Sequence, residues 1–477
     1  MRFSEHFRLG KTQIELDFVD IPLHTDIRLF VDPYGLSIDN DPLFVECNNT
    51  VVDYFQKLID NIRRGNDDVA IHMLSHLREP NDTRLGMSSG SPAGRGIGTT
   101  QAGELFERLS KSKAARTGKL RDLSDCELLI PNISSDKISD MTINVIRGHL
   151  VEYTQSQCRL HGVPMQRIAV GPLWNPRTSD WMNQYGDLPV YRNERLILVP
   201  KAAVRWRLAE DHHDYYQHFV LNFLQAEYFN AGTALVTTLK NGTRVVYKKD
   251  VMERHPLSKD FLLEFSEAHP EVLEAYKKSL INKADPLIDE DLEYARTDFK
   301  PPDFDRLIVE LEQIQPGNAQ ANRYHNLILG ALEAVFYPSL RNGIKEREIN
   351  EGRKRVDIVF NNGDKVGFFW ALSVHHKVHC PYIIIECKNY SEDAKNPEFD
   401  QLAGRLQQDR GRFGMLVVRD TKDKTTLLKR AKDFLADRKF IIVLDDSDLK
   451  ALLRFRKAKD FKAINDHLQG KLDELLM

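Results

Sequence analysis

Tyr382-Ile383-Ile384-Ile385-Glu386-Cys387-Lys388 is the stretch on which the fold of this chain turns. It opens with one aromatic and three β-branched residues in a row, the composition of a central strand. Successive side chains of a strand point to opposite faces, so Glu386 and Lys388 project together while Cys387 faces away. A carboxylate and an ammonium beside apolar residues are costly to bury unless each has a partner and a task. A second acid stands in a similar setting, Asp357 within Arg355-Val356-Asp357-Ile358-Val359-Phe360. If the two strands pair, Asp357 and Glu386 meet and offer oxygen ligands to a hard divalent cation such as Mg²⁺ or Mn²⁺. Lys388 then stands beside an attacking water, placed to orient it and to lower its pKa. A bound metal would stabilise charge on a phosphorane and activate the water.

The flanking sequence predicts a mixed α/β domain. Asn322–Phe336 sets Leu327, Ile328, Leu332, Val335 and Phe336 on one helical face, and Pro338 ends the pattern. Ile344–Ile349 and Arg355–Phe360 alternate as strands do. Phe399–Gln408 is helical, Phe413–Val418 a strand, Thr425–Asp437 a helix and Phe440–Leu444 a strand, with helices over Asp446–Arg456 and Phe461–Leu476. The expected order is helix, three strands, helix, strand, helix, strand: an α/β sandwich of one sheet with helices on both faces.

Asp357, then Glu386-Cys387-Lys388 at the end of the next long strand, resembles the PD-(D/E)XK nuclease superfamily, which has the restriction-endonuclease-like fold. Glu333 on the preceding helix matches the acid that this superfamily often places there to hold a metal-bound water. Glu386-Cys387-Lys388-Asn389-Tyr390-Ser391, followed by Phe399-Asp400-Gln401-Leu402 and Arg412-Phe413-Gly414-Met415-Leu416-Val417-Val418, resembles its Mrr-like bacterial branch. Gln401 matches a helix position that supports the site there. The resemblance covers about residues 320–457. It implies a catalytic set of Asp357, Glu386, Lys388, Glu333 and Gln401. The metal, Mg²⁺ or Mn²⁺, is expected on Asp357, Glu386 and the backbone carbonyl of Cys387. Also implied are phosphodiester hydrolysis in DNA rather than RNA, a homo-oligomer, and a place as effector of a bacterial anti-phage or restriction system. Two departures are visible. Val356 stands where the family has a proline, and the 28 residues between Asp357 and Glu386 exceed a tight hairpin. Residues 361–380 are therefore expected to hold an insertion or an extra strand. The alternative from another class is a catalytically silent nucleic-acid-binding or sensor protein of the same fold, with Glu386 and Lys388 as a structural ion pair.

At 477 residues, 42% hydrophobic and 29% charged, the chain has material for two or three domains. Residues 1–300 read as an α+β regulatory or recognition region of unrecognised fold, with room for two subdomains and for a protein partner or ligand. Residues 301–317, with Pro301-Pro302 and Pro316-Gly317, read as a linker that can hold a short helix at Leu307–Ile314, and 318–477 as the nuclease domain. Charge divides accordingly. Residues 321–477 carry a net +6 and residues 1–320 a net −9; a basic part is what a polyanion requires.

Within the first region a helix is expected from Pro42 to Arg64, an irregular, partly packed loop over 171–190, and a buried strand from Arg195 to Pro200. Ser88–Thr100 is glycine-rich but lacks the Gly-Lys-Ser/Thr ending of a phosphate-binding loop, and reads as a surface loop. His375-His376-Lys377-Val378-His379-Cys380 has zinc-type ligands but no second cluster at matching spacing, so a polar loop near substrate phosphates is expected. Five scattered cysteines without a Cys-x-x-Cys pair argue for a reducing compartment. With no secretory h-region and no membrane span, the expected location is cytoplasmic.

Overall fold

The computed structural model describes residues 1–86, 99–112, 115, 123–131, 133–281, 283–296, 298–349 and 354–477. The Ser88–Thr100 loop lies outside them up to residue 98. Two separate hydrophobic cores organise the chain, one from residues 3–292 with Tyr337, the other from Ile14 and residues 304–475.

The first core is mainly helical. Helix α1 (Pro42–Arg64) starts where the Asp41 side chain accepts a hydrogen bond from the Leu43 amide, with Pro42 in the first turn. It stops at Gly65, whose φ of 71° continues the chain in the left-handed region. Phe44, Cys47, Val51, Tyr54, Phe55, Leu58 and Ile62 recur every three or four residues and are buried. Helices α2 (Ser135–Val145) and α3 (Arg147–His161) pack beside it. The stretch expected to be an irregular loop is instead a long antiparallel hairpin, β1 (Gln166–Asn175) and β2 (Asp180–Leu188). Pro172 obscured it in the sequence, yet a two-stranded ribbon has only edge strands, where proline is tolerated. Trp174 and Trp181 face each other across the ribbon and meet Tyr54 of α1, with ring centroids 4.9 Å (Trp174) and 5.8 Å (Trp181) from it. Leu196–Val199 is fully buried as expected but joins no sheet. Its amides bond instead to single groups, Ile197 N–H to the Asp82 carbonyl and Leu198 N–H to Thr154 Oγ1.

The second core surrounds a five-stranded sheet of order β7-β6-β5-β4-β3. Its strands are β3 (Leu340–Ile349), β4 (Lys354–Asn362), β5 (Tyr382–Lys388), β6 (Phe413–Val418) and β7 (Phe440–Leu444). The first three pair antiparallel and the last three parallel. Helix α4 (Phe304–Gln313) buries Phe304, Leu307, Ile308 and Leu311 in this core, so residues 301–317 are not a free linker. The amphipathic spacing of those four residues fixes the helix despite its flanking prolines. Helix α5 (Ala321–Phe336) lies against β3, β4 and β5. The insertion between β4 and β5 is a helix, α6 (Phe368–Val374), not an extra strand. Helices α7 (Asn396–Ala403) and α8 (Lys424–Lys432) link the parallel strands, and α9 (Asp446–Lys457) and α10 (Phe461–Leu476) close the chain.

Buried polar contacts join the two cores. Arg341 meets Asp39 at 2.5 Å, Asn361 donates to Asp41 at 2.9 Å, and the Asn342 amide donates to Asp17 at 2.7 Å. Among the described residues, no helix is long and apolar enough to cross a membrane.

Candidate active site

Strands β4 and β5 pair with Ile358 opposite Ile385. One step further in that register sets Asp357 opposite Glu386, and opposite residues of an antiparallel pair share a face. The Cys387 amide donates to Asp357 Oδ2 at 2.9 Å, which locks the acid onto the end of β5. Lys388, two residues on, returns to the Glu386 face, where its Nζ lies 2.9 Å from Glu386 Oε1. Gln401 of α7 completes the cluster: its carbonyl accepts from Lys388 at 3.1 Å and its amide donates to Glu386 Oε1. Four of the expected residues are thus brought together, and Cys387 turns its side chain away into the second core.

Glu386 is fully buried. Burial first, and then the nearby Asp357 charge, push its carboxyl up to about 7 against the pull of Lys388 and Arg405. Burial works to lower Lys388, but Glu386 and Asp357 outweigh it and hold the ammonium above its ordinary value. Lys388 is therefore a cation here, a donor rather than a base.

Glu333 does not join this cluster, a correction to the sequence expectation. The start of α5 is tied to the end of β5 by Asn389, whose side chain donates to the Gln315 and Gly317 carbonyls at 3.0 and 2.8 Å. Going along α5 therefore leads away from this cluster. Glu333 lies eight residues beyond His325, which is about 12 Å of helix rise. It is buried instead against Lys201 of the first core, 3.3 Å away. The helix side chain at the level of Asp357 is His325. Its ring has the Cys387 backbone as a partner, and burial lowers its pKa against the opposing pull of Asp357.

Arg405 is a second group that sequence reasoning missed. Its guanidinium stands 3.2 Å from Glu386 Oε2 and donates to the Gln401 carbonyl at 2.9 Å and the Arg355 carbonyl at 2.6 Å. The only sequence signal was its spacing, one helical turn after Gln401.

A divalent cation fits the donors present. Among the described residues Glu386 Oε2 is buried without a hydrogen bond, despite the nearby Arg405. Asp357, Glu386 and the Cys387 carbonyl are all hard oxygen donors. Among the described residues no group of three or more His, Cys, Asp or Glu side chains is placed to hold a metal. Two carboxylates and a carbonyl leave other positions to water and phosphate oxygens, a division that Mg²⁺ favours. In the loop at 375–380, Cys380 turns inward to Ser373 at 3.2 Å while His375 and His379 are exposed, so these groups do not converge.

The family described as a domain of unknown function (DUF8370) matches residues 8–212, within the first core. Comparison with curated proteins and with solved structures gives no match.

Proposed function

We propose that residues 318–477, with α4, form a restriction-endonuclease-like domain of the PD-(D/E)XK type. The chain is then a divalent-metal-dependent endonuclease that hydrolyses phosphodiester bonds, in DNA rather than RNA. The observation that carries this is the register of β4 and β5, which sets Asp357 opposite Glu386 with Lys388 on the same face. Asp357, Glu386 and the Cys387 carbonyl would hold Mg²⁺ or Mn²⁺, which when bound supplies Lewis-acid stabilisation of the phosphoryl group and a more acidic water. Lys388, held as a cation, orients that water and balances charge as it develops on the phosphate oxygens. Gln401 fixes Lys388 and Glu386 relative to each other, and Arg405 braces Glu386 from the far side. The resemblance to Mrr-type enzymes supports DNA as substrate, a homo-oligomer, and an effector role in bacterial defence.

One observation favours the silent reading. Glu386 already has two cationic neighbours, Lys388 and Arg405, so the cluster is electrostatically satisfied without a metal. Incubation of supercoiled plasmid with the full chain in Mg²⁺, Mn²⁺ or EDTA separates the two. Nicking or linearisation in metal alone, lost in Glu386→Ala, supports the nuclease. Intact plasmid under every metal condition, with binding retained, supports the silent protein.

A further inference from the structure

We infer that the first core supplies one wall of the substrate track: Arg159 of α3 grips the phosphate backbone of the nucleic-acid strand that lies across β3. This rests on the nucleic-acid reading above and adds a contact from outside the nuclease domain. Among the described residues β3 is the free edge of the sheet, and α3 packs over it. Between them runs a groove of about 320 Å³, lined by Arg159 and Leu160 from α3 and by Lys345, Glu346 and Arg347 from β3. Three cations face a single carboxylate, and that carboxylate is near Lys345 and Arg355 at 3.8 and 3.9 Å.

The groove adjoins the strand that carries Asp357. In the register of β3 and β4, Lys345 stands opposite Ile358 on the face away from Asp357, while Glu346 falls opposite Asp357 itself. The Lys345 ammonium is held by Asn322 and by Asn326, the latter at 2.8 Å, on the same turn of α5 as His325. From β3 to β5 is two strand spacings, roughly 10 Å, the distance that nucleic acid passing from the groove around the sheet edge has to cross to reach Glu386. Arg159 is exposed and meets Gln155 of its own helix at 3.5 Å, so its charge is available to a phosphate. Phosphodiester backbone, not a particular base, is what such a set of cations recognises.

The test uses the full chain and a short fluorescent duplex in EDTA, where binding is read by anisotropy without cleavage. Losing one phosphate contact should weaken binding about eightfold at about 0.1 M salt and lower the slope of log K against log salt by about 0.9. Arg159→Ala should show both changes, Arg159→Lys should restore most of the affinity, and Lys462→Ala, an exposed cation on α10, should leave it unchanged. Plasmid cleavage in Mg²⁺ at sub-saturating DNA should slow in Arg159→Ala in step with the lost affinity and stay at the wild-type rate in Lys462→Ala. Equal binding by wild type and Arg159→Ala overturns the inference while leaving the nuclease intact. Equal weakening by Lys462→Ala also overturns it, since the effect is then one of net charge. Arg159-dependent binding without metal-dependent cleavage keeps the groove and removes the nuclease. A matching single-stranded RNA bound more tightly, with the same Arg159 dependence, keeps the groove and changes the substrate.

Discussion

At the residue scale the candidate site rests on three side chains, Glu386 and Lys388 grouped by a strand's two-residue period and Asp357 added by the pairing of β4 with β5. Alanine at Asp357, Glu386 or Lys388 should lower metal-dependent cleavage by roughly 10²- to 10³-fold or more, because each removes charge stabilisation from the transition state. Gln401→Ala and His325→Ala act through the groups they hold and should cost about tenfold, the range of outer-shell metal-site mutations. Glu333→Ala should leave the affinity for Mn²⁺ unchanged, since that carboxylate faces Lys201. Single-turnover cleavage with Mn²⁺ titration reads all six, and wild-type activity in Glu386→Ala would end the assignment. That Asp357, Glu386 and Lys388 come together was legible because alternation in an apolar strand exposes an acid that does not belong there, whereas Gln401 followed only from the family resemblance. His325 and Arg405 were not. Which residue of α5 stands level with the end of β5 depends on where Asn389 anchors the helix, and no local pattern encodes that.

At the element scale, periodicity located α1, α5, β5, β6 and β7 closely, because each pairs a long apolar pattern with a clear stop such as Gly65 or Pro338. It failed on the β1–β2 ribbon, where edge pairing tolerates a proline, and on Leu196–Val199, where burial occurs without a sheet. The seat of α7 on the sheet is a place where one element sets the geometry of another. A Cβ on Gly414 of β6 would come within 3.0 Å of both the Ile384 carbonyl oxygen and Leu402 Cδ1 of α7. The helix that carries Gln401 thus lies against a strand with no side chain beneath it. Gly414→Val should destabilise the fold by about 1–3 kcal/mol through overpacking. It should also reduce cleavage more than the melting shift explains, because α7 must lift and take Gln401 with it. A melting temperature and cleavage rate both at wild-type values would show that α7 does not depend on this close approach.

At the scale of the whole molecule the two cores are held as one by buried polar pairs, and these pairs make the halves poor candidates for separate life. A fragment of residues 318–477 would lose α4, and with it the buried Phe304, Leu307 and Leu311. At about 1.5–3 kcal/mol for each such side chain, the loss approaches the whole stability of a typical domain. That fragment should show no cooperative melt, whereas a melt like that of the full chain would mean the contacts between cores are dispensable. The centre of the junction is Lys201, fully buried between Asp289 at 2.9 Å and Glu333 at 3.3 Å, with its ammonium 3.9 Å from the centre of the Tyr337 ring. Burial first, with Asp17 and Asp289 adding to it and Lys201 opposing, raises Glu333 to about 8. The sign of its effect follows from proton counting. Below about pH 4.5 Glu333 is protonated in both folded and unfolded chains and has no effect on the pH slope. Between about 4.5 and 8 the folded state holds a proton that the unfolded state has released, so stability falls as pH rises. Above 8 both are ionised and the full penalty is present. Glu333→Gln removes this dependence, and its amide carbonyl can still accept from Lys201. The stability difference, variant minus wild type, should therefore climb steadily from pH 5 to pH 8.5 in thermal or urea melts and then level off. A difference that stays constant over that range, or falls, would mean that Glu333 is ionised throughout and paired with Lys201 as a simple salt bridge.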